Sequence, residues 1–266
     1  MSETSGQVGV VEEMPEIVQG PSPTEPSRVG PSREAPGEAG LRRHDILTAI
    51  QSLLVVVVIA TFIVTFIVQP FRIPSESMDP TLRVGDFLLM NKQAYAPRGP
   101  LDAVLPPTPV RRGDVAVFHY PLDPAVDFVK RVVGLPGDRL RLRDGHVYIN
   151  GRPVDEPYAF YGAAFPDSFR DNFPTLHSMD GNVDPGWWIT MRRNVRDGEL
   201  YIPADRYFVM GDNRNDSEDS RYWGFVPRAA LVGRPMVVYL SMGASAPGRS
   251  ALQRLADAVK GERLVR

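Results

Sequence analysis

The sequence has no cysteine and only four histidines among its 266 residues. The first absence excludes thiol catalysis, cysteine-ligated zinc and disulfide staples together. Any folded domain must therefore hold itself together by its apolar core. The second leaves few bases for a histidine-dependent hydrolase. His44 borders an apolar run, His146 follows a turn, His177 lies in a loop-like stretch and His119 sits on an apolar strand pattern. No Gly-x-Ser-x-Gly elbow accompanies them, so a Ser–His–Asp enzyme is not indicated. An excess of one charge is missing as well: 30 Lys and Arg stand against 32 Asp and Glu. With no basic helix and no aromatic–basic interleaving, nothing points to nucleic acid. Residues 1–41 lack aromatics altogether and hold six prolines and six glycines. Such a segment buries too little apolar surface to offset its ordering entropy, so residues 1–44 are expected to be a disordered tail.

The one long hydrophobic feature is residues 46–68, which run for 23 positions without a charge. At 1.5 Å per residue a helix of this length reaches roughly 34 Å, enough for a hydrocarbon core of about 30 Å. A core helix of that length would show a polar face, and this one does not. A cleavable signal peptide has a shorter apolar region nearer the N-terminus, followed by a small-x-small site. Residues 45–69 are therefore expected to be a permanent transmembrane helix. Arg42 and Arg43 at its N-terminal end favour that end inside, although Arg72 at the other end weakens the asymmetry.

Beyond the span the pattern is that of β structure. Residues 87–90, 114–120, 128–133 and 236–240 are short apolar runs rich in β-branched or aromatic side chains. Asp144-Gly145 between two such runs marks a hairpin, and Asn150-Gly151 marks a second turn. Residues 97–112 and 165–186 read as Pro/Gly-punctuated loops. No convincing helical period appears between residues 75 and 245. The expected fold is mainly antiparallel β, as a pair of small sheets or a distorted barrel, anchored by the single helix. Its catalytic part would comprise residues 70–150 and 201–242, with a variable, non-catalytic β region at 151–200. In the C-terminal 243–266, Leu252, Leu255, Ala256 and Val259 recur at helical spacing and suggest a short surface helix.

A candidate nucleophile, Ser77, stands only a few residues past the span, so its substrates would be membrane-tethered. Its candidate base is Lys130, flanked by Phe128, Val129, Val132 and Val133. At its ordinary pKa of about 10.4 a lysine is neutral only about once in 2,500 molecules at pH 7. Half-neutrality requires the pKa to fall by roughly 3, about 4 kcal/mol, which burial in apolar surroundings supplies. Ser–Lys pairing is a known form of nucleophilic catalysis. Taken locally, neither residue is diagnostic, and a turn serine and a lysine on a solvated strand edge are the more ordinary readings.

Five motifs occur in order: Ser-Glu-Ser-Met-Asp-Pro-Thr-Leu at 75–82, Gly-Asp at 85–86, Gly-Asp-Val at 113–115, Lys-Arg-Val-Val-Gly-Leu-Pro-Gly-Asp at 130–138, and Gly-Asp-Asn-Arg-Asn-Asp-Ser-Glu-Asp-Ser-Arg at 211–221. Together they resemble the motif boxes of bacterial type I signal peptidase, the leader peptidase family of Ser–Lys endopeptidases. The likeness covers roughly residues 50–240. It implies Ser77 as nucleophile, Lys130 as general base, and an oxyanion hole made by the Ser77 N–H with the Ser75 hydroxyl. It further implies that Ser217 bonds and orients the lysine while Asp219 and Arg221 brace the site. Implied too is removal of signal peptides from exported preproteins after small-x-small sites, without metal or cofactor. The enzyme would sit in the cytoplasmic membrane, tail inside and catalytic domain outside. Its partners would be signal peptides and the lipid bilayer, with the export translocon left open and no nucleic acid.

If residues 71–77 are extended, Phe71, Ile73, Ser75 and Ser77 share one face, and Phe71, Ile73 and Met78 would form shallow pockets for small side chains. Two positions depart from the family's usual pattern: Glu76, often glycine, and Asn215-Asp216, more often Asp-Asn. A calcium loop counted from Asp212 fails, because its third, sixth and twelfth positions hold Arg214, Ser217 and Trp223. The runners-up are a LexA-like Ser–Lys self-cleaving repressor, which lacks its helical DNA-binding domain here, and a membrane-anchored scaffold without activity.

Overall fold

A computed structural model of the chain describes residues 38–96, 99, 106–177, 180–242 and 263–265. The chain divides into two compact units at Ser52/Leu53. In the first, the described residues belong to the N-terminal part of helix α1 (Glu38–Phe62). Residues 38–44, expected in the tail, are thus helical, and residues 1–37 lie outside the described residues. Asp45–Ile67 is 23 residues long, with mean hydropathy 2.7 and none of its most apolar window buried. By length and composition it is a candidate membrane span.

The second unit begins as α1 ends in a π-helical turn, Ile63–Ile67. That terminus has no glycine cap. Instead Lys92 Nζ donates to the Thr65 carbonyl at 3.2 Å and Gln93 Nε2 to the Phe66 carbonyl at 2.9 Å, satisfying two of the orphan acceptors. The chain then enters β1 (Val68–Arg72), β2 (Asp86–Asn91), β3 (Val115–Tyr120) and β4 (Asp123–Gly134). It leaves this sheet for β5 (Arg139–Arg143), β6 (His146–Ile149) and β7 (Arg152–Pro153). Helices α2 (Ser168–Asp171) and α3 (Pro185–Asn194) follow, then β8 (Val195–Arg196) and β9 (Glu199–Tyr201). It returns in β10 (Arg206–Met210), helix α4 (Ser220–Trp223), β11 (Val226–Pro227), β12 (Leu231–Ser241) and β13 (Arg263–Leu264).

Two antiparallel sheets result. The larger has the order β1-β2-β12-β3-β4-β10-β11 with β13 on β12, and the smaller β7-β6-β5-β9-β8. Its hairpin is the expected one: Asp144 and Gly145 take φ of 48° and 80°, the left-handed pair that a two-residue turn requires. The two sheets share a core, because Phe208 and Met210 of β10 pack with Leu140, Val147, Phe173 and Met191. Each such buried side chain contributes about 1.5–3 kcal/mol.

The mainly antiparallel β reading thus describes the molecule, corrected between residues 75 and 245 by the single-turn helices α2 and α4 and the longer α3. Helix α3 forms there because Asp184 caps it, accepting from Trp187 N at 2.7 Å, and Pro185 opens its first turn. Only Trp187 and Met191 are fully buried, with Trp188 packed beside them, so its apolar stripe was too thin to register as a period. The helix expected over 252–259 lies outside the described residues, and Arg263–Leu264 forms a strand.

Candidate active site

Ser77 is set by a change of backbone, not by a continuing strand. After β1, the Ile73 amide donates to the Asp86 carbonyl at 2.9 Å, and Ser75 is still extended at φ −135°, ψ 162°. The chain then tightens into a 3₁₀ turn, Glu76–Met78, with Met78 and Ile73 buried beside it. The extended run expected through Ser77 therefore stops at Ser75. Because the turn ends the alternation, Ser77 is buried while Ser75 remains exposed. The Asn213 amide fixes the turn by donating to the Ser77 carbonyl at 3.1 Å.

Lys130 comes from the buried half of β4, between β3 and β10, where residues 129–134 are all buried. Its Nζ lies 2.5 Å from Ser77 Oγ, and the residue is 4% exposed. Burial pulls its pKa down to about 8; the Asp219 carboxylate opposes that pull, and the Arg221 guanidinium behind Asp219 restores part of it. Burial alone would push the Asp219 carboxyl up. Arg221, Lys130 and the Gly211 amide reverse this and hold it below its ordinary range. Arg221 Nη2 meets Asp219 Oδ2 at 2.8 Å, so the pair is intact and fully buried.

Over the serine and lysine opens a cleft of about 480 Å³. Phe71, Ile73, Met78 and residues 126–129 line it. Ser75 also lines it, its Oγ 3.3 Å from Ser77 Oγ. Ser217 differs from what the resemblance implies. Its hydroxyl is buried with no hydrogen-bond partner among the described residues, and makes no bond to Lys130. It packs against Gly211, where a Cβ would lie 2.3 Å from Ser217 Oγ and 2.4 Å from the Ser77 carbonyl oxygen.

With this geometry in place, the likenesses to known proteins are specific. The profile of a family described as "Signal peptidase, peptidase S26" matches residues 46–240. The chain belongs to this family. It is 41% identical over 190 residues to the signal peptidase I of Pseudomonas aeruginosa and 40% identical to that of Pseudomonas fluorescens. Each match spans 66% of this chain and 66% of the relative, so the chain spans about two thirds of the length of these relatives. A solved signal peptidase I from Enterococcus faecalis V583 is 29% identical, covering 48% of this chain and 97% of its own, with a TM-score of 0.31.

Several residues that sequence reading passed over tie the site of this signal peptidase family member together. Arg131, the neighbour of Lys130, holds Asp212 through two hydrogen bonds of 2.7 and 2.6 Å, and Thr81 adds a third at 2.6 Å. Arg214 holds Glu156 through bonds of 2.8 and 2.6 Å and donates to the Gly211 carbonyl at 3.1 Å. The ring of Tyr158 lies under the Arg131 guanidinium at 3.9 Å, and its hydroxyl donates to Glu156 at 3.2 Å. Phe160 and Asn213 bridge their backbones in parallel. Trp187 of α3 donates to the Arg221 carbonyl at 3.0 Å. Arg131, Asp212 and Arg214 lie inside the quoted motifs, which was a usable signal. Glu156, Tyr158 and Trp187 lie where no motif was found, and only the folded chain brings them here.

Proposed function

We propose that this chain is a membrane-anchored serine endopeptidase that removes signal peptides from exported preproteins with a Ser77–Lys130 dyad. The observation that carries it is the 2.5 Å contact of Lys130 Nζ with Ser77 Oγ, both buried at the floor of the cleft, with the lysine's pKa drawn to about 8. A neutral Lys130 accepts the hydroxyl proton as Ser77 Oγ attacks the scissile carbonyl. The oxyanion that develops is received by the Ser77 N–H and the Ser75 hydroxyl, donors of a kind commonly worth about 3–4 kcal/mol in the transition state. Collapse breaks the C–N bond, Lys130 returns its proton to the leaving amine, and an acyl-serine remains. Water, deprotonated by the same lysine, then hydrolyses the ester and restores Ser77. Asp219 and Arg221 hold the charge balance behind the lysine.

Phe71, Ile73 and Met78 form shallow apolar walls that reject large side chains by volume, which supports cleavage after a small-x-small sequence. The candidate span supports membrane anchoring. The cleft would face the extracytoplasmic side, because that is where a translocated precursor presents its cleavage site. The test is cleavage of a detergent-solubilised preprotein by wild type, Ser77→Ala and Lys130→Met. Cutting after a small-x-small site by wild type alone supports the dyad. Cutting that survives Lys130→Met would require another base and overturn the mechanism.

A further inference from the structure

The rim of the cleft carries acids that the proposed mechanism gives no proton-transfer role, although the charge of one of them, Glu218, acts on Lys130. Glu76, Asp216 and Glu218 all line it and all are exposed. No hydrogen bond or ion pair among the described residues reaches their carboxylates. A fourth acid of the lining, Asp127, differs in being half-buried beside His119, whose Nδ1 lies 2.8 Å from its Oδ1. The single cation of the lining is Lys130, buried beneath Ser77. Two of the three free carboxylates, Glu76 and Asp216, are the positions at which the sequence departs from its family's usual pattern. They lie 140 residues apart in the chain by number, yet the fold sets both on one groove. A groove lined by one sign of charge over low-dielectric walls concentrates its field on whatever enters it.

We infer that Glu76, Asp216 and Glu218 are specificity-determining residues that select precursors carrying basic or neutral side chains beside the cleavage site and reject acidic ones. This rests on the peptidase reading of the cleft. In an extended substrate whose small residues turn into the apolar pockets, the residue between them turns outward by alternation. That residue, and the first one after the cut, are the side chains that meet the rim. Charges in so exposed a rim are screened by salt, so the selection belongs to low ionic strength.

The experiment compares peptides that share one small-x-small site and differ only at those two positions, holding Lys, Gln or Glu. Values of kcat/KM are read for wild type, Asp216→Asn/Glu218→Gln, and the same pair with Glu76→Gln. Each enzyme is judged by the ratio of its own Lys and Glu peptides, so partial loss of folded protein cancels. Wild type is expected to prefer Lys by about tenfold at about 0.01 M ionic strength, falling towards one at about 1 M, where the Debye length shrinks from about 30 to about 3 Å. The ratio falls in the double variant and approaches one in the triple. A wild-type ratio near one, or a ratio that survives the triple neutralisation, overturns the inference and leaves the peptidase reading standing. Failure of folded wild type to cut even the Gln peptide overturns both.

Discussion

At the scale of single residues, the decisive quantity is the free energy of one proton on Lys130. An exposed lysine at pH 7 is almost always charged and cannot take a proton from serine. Here burial draws the pKa to about 8, so the neutral form is common at the pH of the cell. In the proposed mechanism the neutral lysine is the active form, so kcat/KM should climb about tenfold per pH unit below about 8 and level off above it. A pH profile on a neutral peptide measures this, and a profile flat through pH 7–9 would contradict the lysine as base. Gly211 carries a second prediction. An alanine there would put its Cβ against the Ser77 carbonyl oxygen, which is backbone and cannot swing aside. Gly211→Ala should lower both activity and melting temperature, whereas a change at the open Gly181 should do neither. Ser77 and Lys130 were legible as candidates because their chemistry is local. The absent Ser217–Lys130 bond was not, because a hydroxyl's direction depends on everything packed around it.

At the scale of elements, residues 151–200 do more than complete the smaller sheet. Glu156, Tyr158 and Trp187 reach Arg214, Arg131 and Arg221, which in turn hold the Gly211 carbonyl, Asp212 and Asp219. Buried ion pairs are costly to break because the surviving charge is stranded. Arg214 and Glu156 have side chains only 2% and 5% exposed. Glu156→Gln should therefore destabilise the protein by about 3–5 kcal/mol, read as a lower denaturation midpoint, and should depress kcat more than KM as the 211–215 loop loosens. A neutral midpoint would mean that the arginine finds another partner. β2, β3, β12, the inner half of β4 and the β5–β6 hairpin were legible in the sequence because they bury apolar runs, whereas β1 and β10 were not read as strands. Helix α3 escaped because Pro185-Gly186 looks like a turn and a few apolar residues, Trp187, Trp188 and Met191, suffice to dock it.

At the scale of the whole molecule, the features read from the sequence are a candidate span leading directly into a cysteine-free β unit. The second unit anchors the start of its own sheet to the end of the apolar helix through Lys92 and Gln93. The proposed topology predicts that the protein stays with the membrane in high salt and alkali and leaves it in detergent. In spheroplasts of a bacterial host, added protease should degrade the β unit, while an epitope on the N-terminal tail stays protected until the membrane is opened. Protection of the β unit in intact spheroplasts would reverse the proposed orientation.

The sequence by itself determined the apolar helix, the antiparallel β class and the hairpin at Asp144-Gly145, because each depends on neighbours within a few residues. It also supplied Ser77 and Lys130, whose side chains bear their chemistry wherever they stand. Only the tertiary structure decided that they lie 2.5 Å apart across 53 residues of chain. The same holds for the turn that buries Ser77, for the two arginine–carboxylate pairs 81 and 58 residues apart in sequence, and for the three free carboxylates on one rim. These are long-range outcomes of packing two sheets on a shared core, and local spacing carries no record of them.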